Sequence, residues 1–344
     1  MKTHVNIPIF IPHLGCPNMC VFCNQRKISG TEKADFSLIE KQIETALETV
    51  ADGTVAQIAY FGGSFTGIDR ADMIYLLGVA KKFIDAGRVE SIRLSTRPDY
   101  ISPEILDILK AYGVKTIELG LQSMNDDVLF ASKRGHTSAD AERACALINE
   151  YGFELVGQMM TGLPHSTLDD EIYTAKKICD MGASGARIYP TVVFCDTELC
   201  EMAKRGEYDM PSEDDLILRT VSALEVFAER NVKIIRIGLQ SGEAVLDGEQ
   251  TYSHTYHSAF GEICYSRLYR SIIENAMPSG EKNVVIYVPR GELSKAIGQH
   301  AENKKYLISK YGLSSLKFKE DAGLSAYRIK ITTGEELFNE TQNS

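Results

Sequence analysis

Seven short apolar runs recur along the chain, at Val5–Ile11, Val55–Phe61, Val89–Leu94, Val114–Leu121, Phe153–Met160, Ala186–Phe194 and Val232–Leu239. Segments with helical periodicity lie between them. In the first, Leu38, Ile39, Ile43, Leu47 and Val50 return at three- and four-residue steps. Helix starts are written beside several of these segments: Ser37 with Glu40, Ser102-Pro103-Glu104, Thr167 with Asp170, and Ser212 with Asp215. Strands that alternate with helices cannot pair as tight hairpins. They form a parallel sheet with helices outside it. Six or more such units predict an α/β fold, a partial or full (β/α) barrel, with its chemistry at the C-terminal ends of the strands.

The loop after the first run carries Cys16, Cys20 and Cys23, spaced C-x3-C-x2-C, with Phe22 before the third. Thiolates are the usual ligands of iron–sulfur clusters. Three of them on one loop hold three corners of a four-iron cluster and leave the fourth iron open to another ligand. Zinc is the competing reading. It wants a fourth protein ligand, and His13 is the nearby candidate, with no second C-x2-C following. One strand later the chain runs Phe61-Gly62-Gly63-Ser64-Phe65-Thr66-Gly67, where paired glycines serve either a tight turn or the close approach of backbone to a ligand.

The cysteine spacing resembles the radical S-adenosylmethionine (SAM) superfamily. Further stretches resemble, in order and spacing, the radical-SAM domain of the Elongator catalytic subunit, over roughly residues 5–240. They are Ser95-Thr96-Arg97-Pro98-Asp99-Tyr100, Glu118-Leu119-Gly120-Leu121-Gln122-Ser123, Lys133-Arg134-Gly135-His136, Met159-Met160-Thr161-Gly162-Leu163-Pro164 and Arg187-Ile188-Tyr189-Pro190. The resemblance implies a [4Fe–4S] cluster on Cys16, Cys20 and Cys23, and SAM on its open iron. It implies reductive cleavage of SAM to a 5′-deoxyadenosyl radical, and an RNA substrate, tRNA in that family. It also implies an electron donor such as ferredoxin or flavodoxin. In such an enzyme the cofactors carry the hard chemistry and the protein binds, orients and shields.

Carried residue by residue, the resemblance places Phe22, Gly62, Gly63, Ser64, Glu118, Gln122, Arg134 and Gln158 around SAM. Glu118 and Gln122 fall on alternate positions of one strand and so share a face. An acid there suits ribose hydroxyls, or serves as a structural ion-pair partner. Arg134 suits the planar methionine carboxylate, or is a surface arginine. Gln158, an amide in an apolar strand, needs a partner, either ligand or loop. His136 and Tyr189 belong to the substrate side of the barrel mouth, or are packing residues. His165 reads as a loop residue.

After Leu239 the resemblance ends, and no glycine-rich acetyl-CoA loop or second cysteine cluster follows. The segment Tyr252–Glu262 holds His254 and His257, three residues apart, suited to binding a metal or moving a proton, or else to a packed connector; with no acidic or cysteine ligand to complete a metal set, a wall of the active site is the expectation. The expected organisation is a radical-SAM barrel over residues 1–240, a helical connector over 241–280 that closes the barrel mouth, and a small α+β module over 281–335. In that module Val284–Val288, Gly291–Ile297, Glu302–Lys310, Leu316–Lys319 and Ala326–Ile331 read as strand, helix, helix, strand, strand. The bend Gly298-Gln299-His300-Ala301 resembles the G-x-x-G turn of KH RNA-binding domains, with alanine at its second glycine.

The chain carries a formal charge of −10, which argues against indiscriminate nucleic-acid binding. Between Glu281 and Glu320, however, eight Lys and Arg face four acids, a local +4. That is the footprint of a surface for phosphates. No apolar run approaches the ~20 residues of a membrane span. The N-terminus opens into a strand without a signal sequence, and eight cysteines suit a reducing compartment, so the location expected is cytoplasmic with no membrane. Two other readings stand beside a radical-SAM enzyme acting on tRNA or another RNA. One is a radical-SAM enzyme with a small-molecule substrate. The other is an RNA-binding or regulatory protein with a structural or redox-sensing cluster.

Overall fold

The computed structural model describes residues 4–11, 20–23, 36–239, 251–252 and 257–333. The alternating pattern folds as expected into a parallel sheet. Its strands are β1 (His4–Ile11), β2 (Val55–Gly62), β3 (Ser91–Thr96), β4 (Val114–Gln122), β5 (Glu154–Thr161), β6 (Gly185–Pro190) and β7 (Lys233–Ile237). They lie side by side in chain order, β1 to β7, all parallel. Among the described residues β7 does not pair with β1, so the barrel is partial. The run Ala186–Phe194 is strand only to Pro190, where the chain turns out over the mouth.

Helices α1 (Ile39–Glu48), α2 (Arg70–Asp85), α3 (Pro103–Ala111), α4 (Asp126–Ala131), α5 (Ser138–Glu150), α6 (Leu168–Asp180), α7 (Glu198–Lys204) and α8 (Glu213–Glu229) connect the strands. Three of the starts read from the sequence are made as expected. Ser102 accepts from Ile105 N with Pro103 in the first turn, Thr167 and Asp170 form a reciprocal capping box, and Ser212 accepts from Asp215 N. The fourth is not. Ser37 lies inside a 3-10 turn, Phe36–Leu38, and Leu38 takes the cap position of α1 without a side-chain bond. That tighter turn shifts Glu40 off the capping-box position.

One continuous apolar core joins β1 to β7 with the inner faces of α1, α2, α3, α5, α6 and α8; Ile43, Ile58, Leu77, Ile92, Ile117, Ile148 and Ile188 are buried in it. It extends into α9 (Phe260–Ala276) through Phe260, Cys264 and Leu268. Farther along the same helix Tyr269 and Ile273 enter a second core. A single helix therefore carries apolar side chains into both cores. Of the expected connector, α9 packs beside α8 and β7. Among the described residues of the connector, Thr251 forms a bridge with Phe194, and Tyr252 N–H donates to Val193 O at 2.8 Å.

The second core lies under a three-stranded sheet, β8 (Asn283–Pro289), β9 (Ser315–Asp321) and β10 (Lys330–Thr333). Its strand order is β10-β8-β9, with β9 parallel and β10 antiparallel to β8. Helices α10 (Leu293–Ile297) and α11 (Glu302–Tyr311) follow β8, as the sequence pattern predicts. The last strand starts at Lys330 rather than Ala326, because Tyr327 takes a left-handed backbone (φ 61°) and breaks the extended run.

Candidate active site

The C-terminal ends of β1 to β7 converge on a cavity of about 300 Å³. Its walls are largely apolar, with Phe10, Phe61, Met160 and Phe194 among them. A second cavity of about 150 Å³ adjoins it, between the cysteine loop, the turn after β2 and the end of β4. Phe22, Cys23, Gly62, Ser95, Gln122 and Gln158 line both.

Cys20 and Cys23 sit on one tight turn, with Cys23 N donating to Cys20 O at 2.9 Å. Cys16 and His13 lie outside the described residues. The turn is held from two sides. Val21 N donates to Ser132 O at 3.2 Å, and Leu199 N donates to Val21 O at 2.8 Å. Buried Val21 and Leu199 share a small apolar cluster with Val193 and Tyr208. The segments after β4 and β6 thus fix Cys20 and Cys23 against the barrel mouth.

Arg134 is the residue that joins the cysteine turn to β4. Its Nη1 lies 3.3 Å from Cys20 Sγ and its Nη2 donates to Gly120 O at 2.7 Å. It is 6% exposed, so the surface-arginine reading fails. Arg97 braces it, donating through Nη2 to Arg134 O while also pairing with Asp99. Gly120 packs closely beneath them. A Cβ on it would stand 3.2 Å from Gln122 Nε2 and 3.4 Å from Arg134 Nη2.

Glu118 and Gln122 both line the larger cavity, as their spacing predicts. Gln122 ends β4 with a left-handed φ of 68°, where the pairing with β5 skips a residue. Such a backbone costs on the order of 1 kcal/mol for a non-glycine residue. Its Oε1 is buried without a hydrogen-bond partner among the described residues.

Glu118 is fully buried, and its expected role changes. Oε1 accepts from Arg93 Nη1 (2.9 Å) and Arg187 Nη2 (3.0 Å), and Oε2 accepts from Arg187 Nε (2.7 Å) and Gln158 Nε2 (3.0 Å). A carboxylate has about four lone-pair sites. All are used, and none remains for ribose hydroxyls. The structural ion-pair reading therefore describes Glu118. The network continues outward, from Arg93 Nε to Gln57 Oε1 (3.0 Å) and from Gln57 Nε2 to Ser91 Oγ (2.9 Å), so it crosses β2 to β6. Gln158 is satisfied by Glu118 and approaches Ser95 Oγ at 3.4 Å.

The glycine turn also differs in its reason. Gly62 has φ 116°, and a Cβ there would stand 2.3 Å from Ile11 O. Gly63 N donates to the same carbonyl at 3.2 Å. The close approach that requires a glycine at position 62 is to the backbone of β1, while Gly62 also lines both cavities. Gly63 and buried Ser64 do face the smaller cavity.

Tyr189 lines the larger cavity, and burial pushes its hydroxyl pKa up. His136 does not reach either cavity. It is 5% exposed behind β4, with Nε2 3.3 Å from Leu121 O, and its Nδ1 has no partner among the described residues. Burial, then the nearby Arg134 and Arg97, lowers its pKa to about 4. The neutral ring must carry its proton on Nε2 to use the Leu121 carbonyl. His257 is exposed and is not among the residues lining either cavity; its Nδ1 accepts from Ala259 N at 3.0 Å, just before α9. It serves as a helix-start bond, not as a wall of the site. His254 lies outside the described residues. His165 is, as expected, in a loop, with φ 63°.

Sequence reasoning assigned no role to Arg93, Arg97 or Arg187. Their signal was present. An arginine at an inward position of an apolar strand requires a buried partner, and Arg187 stands two residues before Tyr189, on the same face. Arg187 also lies over the Phe61 ring, 5.4 Å from its centroid.

The residues present fit a thiolate-held cluster with an amino-acid ligand beside it. Soft sulfur donors, a guanidinium next to one of them, an unpartnered amide oxygen and a glycine-cleared pocket surround the same 150 Å³.

Comparison with known proteins agrees with this geometry. Residues 10–178 match the family model of the Radical SAM superfamily, and residues 183–270 match that of the Radical_SAM C-terminal domain. The tRNA uridine(34) acetyltransferase of Methanocaldococcus infernus is 33% identical over 182 residues, 52% of this chain and 33% of that protein. Elongator complex protein 3 of Saccharomyces cerevisiae is 34% identical over 129 residues, 37% of this chain and 23% of that protein. The matches thus span a third or less of these relatives' length. Among solved structures, archaeal Elp3 of Methanocaldococcus infernus superposes with a TM-score of 0.63 at 21% identity, over 79% of this chain and 64% of that one, which shows a shared fold.

Proposed function

The chain belongs to the radical SAM superfamily, and on that premise we propose that it cleaves SAM reductively on a [4Fe–4S] cluster and acts on tRNA or another RNA. Cys16, Cys20 and Cys23 would hold the cluster. Arg134, Gln122, Gly63 and Ser64 would hold SAM, with Phe22, Gly62 and Gln158 as neighbouring walls. Bound together, the two cofactors would supply the one-electron cleavage of SAM to a 5′-deoxyadenosyl radical. The chain's own part is to bind, orient and exclude water. Arg134 keeps a guanidinium against the Cys20 sulfur, where a ligand carboxylate finds charge-assisted bonds. Gln122 offers an acceptor for an ammonium. Glu118 holds Arg187 and Gln158 in place at the cavity floor. Phenylalanines on β1, β2 and the loop after β6 keep the larger cavity dry around a reactive radical.

The observation that carries this reading is the 3.3 Å approach of Arg134 to Cys20 Sγ beside a shared cavity. An RNA substrate is supported by the relatives named for tRNA modification and by the locally basic module over residues 281–335. Residues 1–240 would be the catalytic unit, with an electron donor such as ferredoxin or flavodoxin and a reducing, cytoplasmic setting. No helix among the described residues is long and apolar enough to cross a membrane.

The test is anaerobic. The chain is reconstituted with iron and sulfide, given SAM and dithionite, and 5′-deoxyadenosine is quantified with and without bulk tRNA. Cleavage that rises with tRNA is expected. Cleavage indifferent to tRNA would favour a small-molecule substrate, which the 300 Å³ cavity is large enough to enclose. An intact four-iron cluster with no cleavage would overturn the enzymatic reading.

A further inference from the structure

The bend that resembles a KH turn is committed to the fold. Gly298 packs on α9, and a Cβ there would stand 2.7 Å from Ser266 Oγ and 3.2 Å from Asn303 N. Asn303 is fully buried, donating to Ser266 O (2.7 Å) and Ala296 O (3.0 Å) and accepting from Arg270 Nε (2.8 Å). The glycine accommodates protein, and the bend needs no nucleic acid to explain it.

The opposite face of the module's sheet is different. Strand pairing sets Tyr287 of β8 between Lys319 of β9 and Lys330 of β10, and sets Val285 beside Lys317. Side chains alternate, so these residues share the face turned away from the core that holds Val284, Ile286, Val288 and Leu316. At the Val285 row this face is closed, with Val285 2% and Thr332 4% exposed. At the Tyr287 row it is open, and Lys317, Lys319 and Lys330 are exposed. The Lys319 and Lys330 ammonium groups stand 5.7 and 5.6 Å from the Tyr287 ring. Among the described residues none of the three lysines makes an ion pair. The acid on this face, Asp321, is turned to its own loop and accepts from Gly323 N at 2.8 Å.

We propose that this row, Lys319–Tyr287–Lys330 with Lys317, is where the phosphate backbone of RNA lies on the protein. The inference rests on the RNA reading above and deepens it by moving the contact from the bend to the sheet. Two ammonium groups held beside one ring, with no ion pair among the described residues, repel each other, and successive phosphates relieve that repulsion. The ring keeps the charges in place at small entropic cost, and it offers a π-face when a lysine swings to a phosphate. A contact of this kind is sequence-independent and falls with salt, by about 0.7 in the log–log slope per neutralised phosphate on single strands and about 0.9 on duplex.

The test uses the full chain with bulk tRNA, binding read by filter retention across a salt series. Three proteins are compared: the unaltered chain, the sheet double variant Lys319→Gln/Lys330→Gln, and a bend variant, His300→Gln. The sheet variant is expected to bind about tenfold more weakly with a slope shallower by about two charges, while its SAM cleavage without RNA and its thermal midpoint stay unchanged. Lys319→Arg/Lys330→Arg is expected to restore binding. The inference is overturned if the sheet variant binds tRNA as the unaltered chain does, or if only the bend variant weakens. Failure of the unaltered chain to bind tRNA at low salt would overturn the RNA reading together with it, and capture of an acidic protein in place of RNA would reassign the surface.

Discussion

Arg187 grips Glu118 with two parallel bonds, Nε to Oε2 at 2.7 Å and Nη2 to Oε1 at 3.0 Å, across the strand that separates them. Arg93 closes on the same carboxylate from the other side at 2.9 Å. Removing Glu118 leaves two buried guanidinium groups without it, and the loss of one partner from a buried pair costs about 3–5 kcal/mol. Glu118→Ala is expected to fall in that range by urea denaturation. Glu118→Gln, which keeps the shape, should lose less. Neither variant is expected to weaken SAM binding specifically beyond its effect on folding. A large SAM defect in a well-folded Glu118→Gln protein would restore the ribose role.

Arg134 is buried against Cys20 and Gly120. Lysine keeps the charge and loses the fork. A charge-assisted hydrogen bond is worth about 1.5–3 kcal/mol, so Arg134→Lys is expected to weaken SAM binding about 10- to 100-fold. Iron content should be retained. Equilibrium dialysis of the reconstituted protein reads the first quantity and iron analysis the second. Unchanged SAM affinity would remove Arg134 from the site.

Gly62→Ala should be destabilising whatever SAM does. Its φ of 116° is outside the region alanine adopts, and the new Cβ would collide with Ile11 O. A loss on the order of 2 kcal/mol or more is expected, read by thermal or urea unfolding without cofactor. Gly53→Ala, also at positive φ but with open space around its Cβ, separates backbone strain from collision.

His136 gives a pH dependence with a definite sign. Its folded pKa is about 4, below its ordinary value of 6.5. Between those values the unfolded chain binds a proton that the folded chain refuses. Stability is therefore full above pH ~6.5 and falls as pH drops toward ~4, by about 3 kcal/mol in all at ~1.4 kcal/mol per unit. His136→Gln should flatten that part of the unfolding curve. A slope unchanged by the substitution would place the titration elsewhere.

Much of the fold was legible in the chain because its signals are local. Alternation, helical spacing, the serine and threonine caps and the cysteine spacing each span a few residues, and local geometry realises them wherever the segment goes. The seven strands, three of the four helix starts and the strand–helix–helix–strand order of the module follow from them. The placing of Glu118 in the cavity follows from alternation, whereas Gln122 reaches it through a left-handed residue where the pairing with β5 skips. The misplaced start at Ser37 shows the limit, since a 3-10 turn and an α-turn carry nearly the same sequence.

Which partner each side chain takes was decided only by the tertiary structure. Glu118 and Arg187 are far apart in sequence, and only the β4–β5–β6 register brings them together to saturate the carboxylate. Gly62 answers to Ile11, and Gly298 to Ser266, because two backbones or helices pass within a methyl group of each other. A glycine records that something comes close without recording what. His136 and Arg134 are two residues apart, yet one turns behind β4 and the other faces the cysteine turn. Their residue types fitted several roles. The crossing of distant segments, which sets burial and exhausts or leaves open each hydrogen-bonding atom, selected among them.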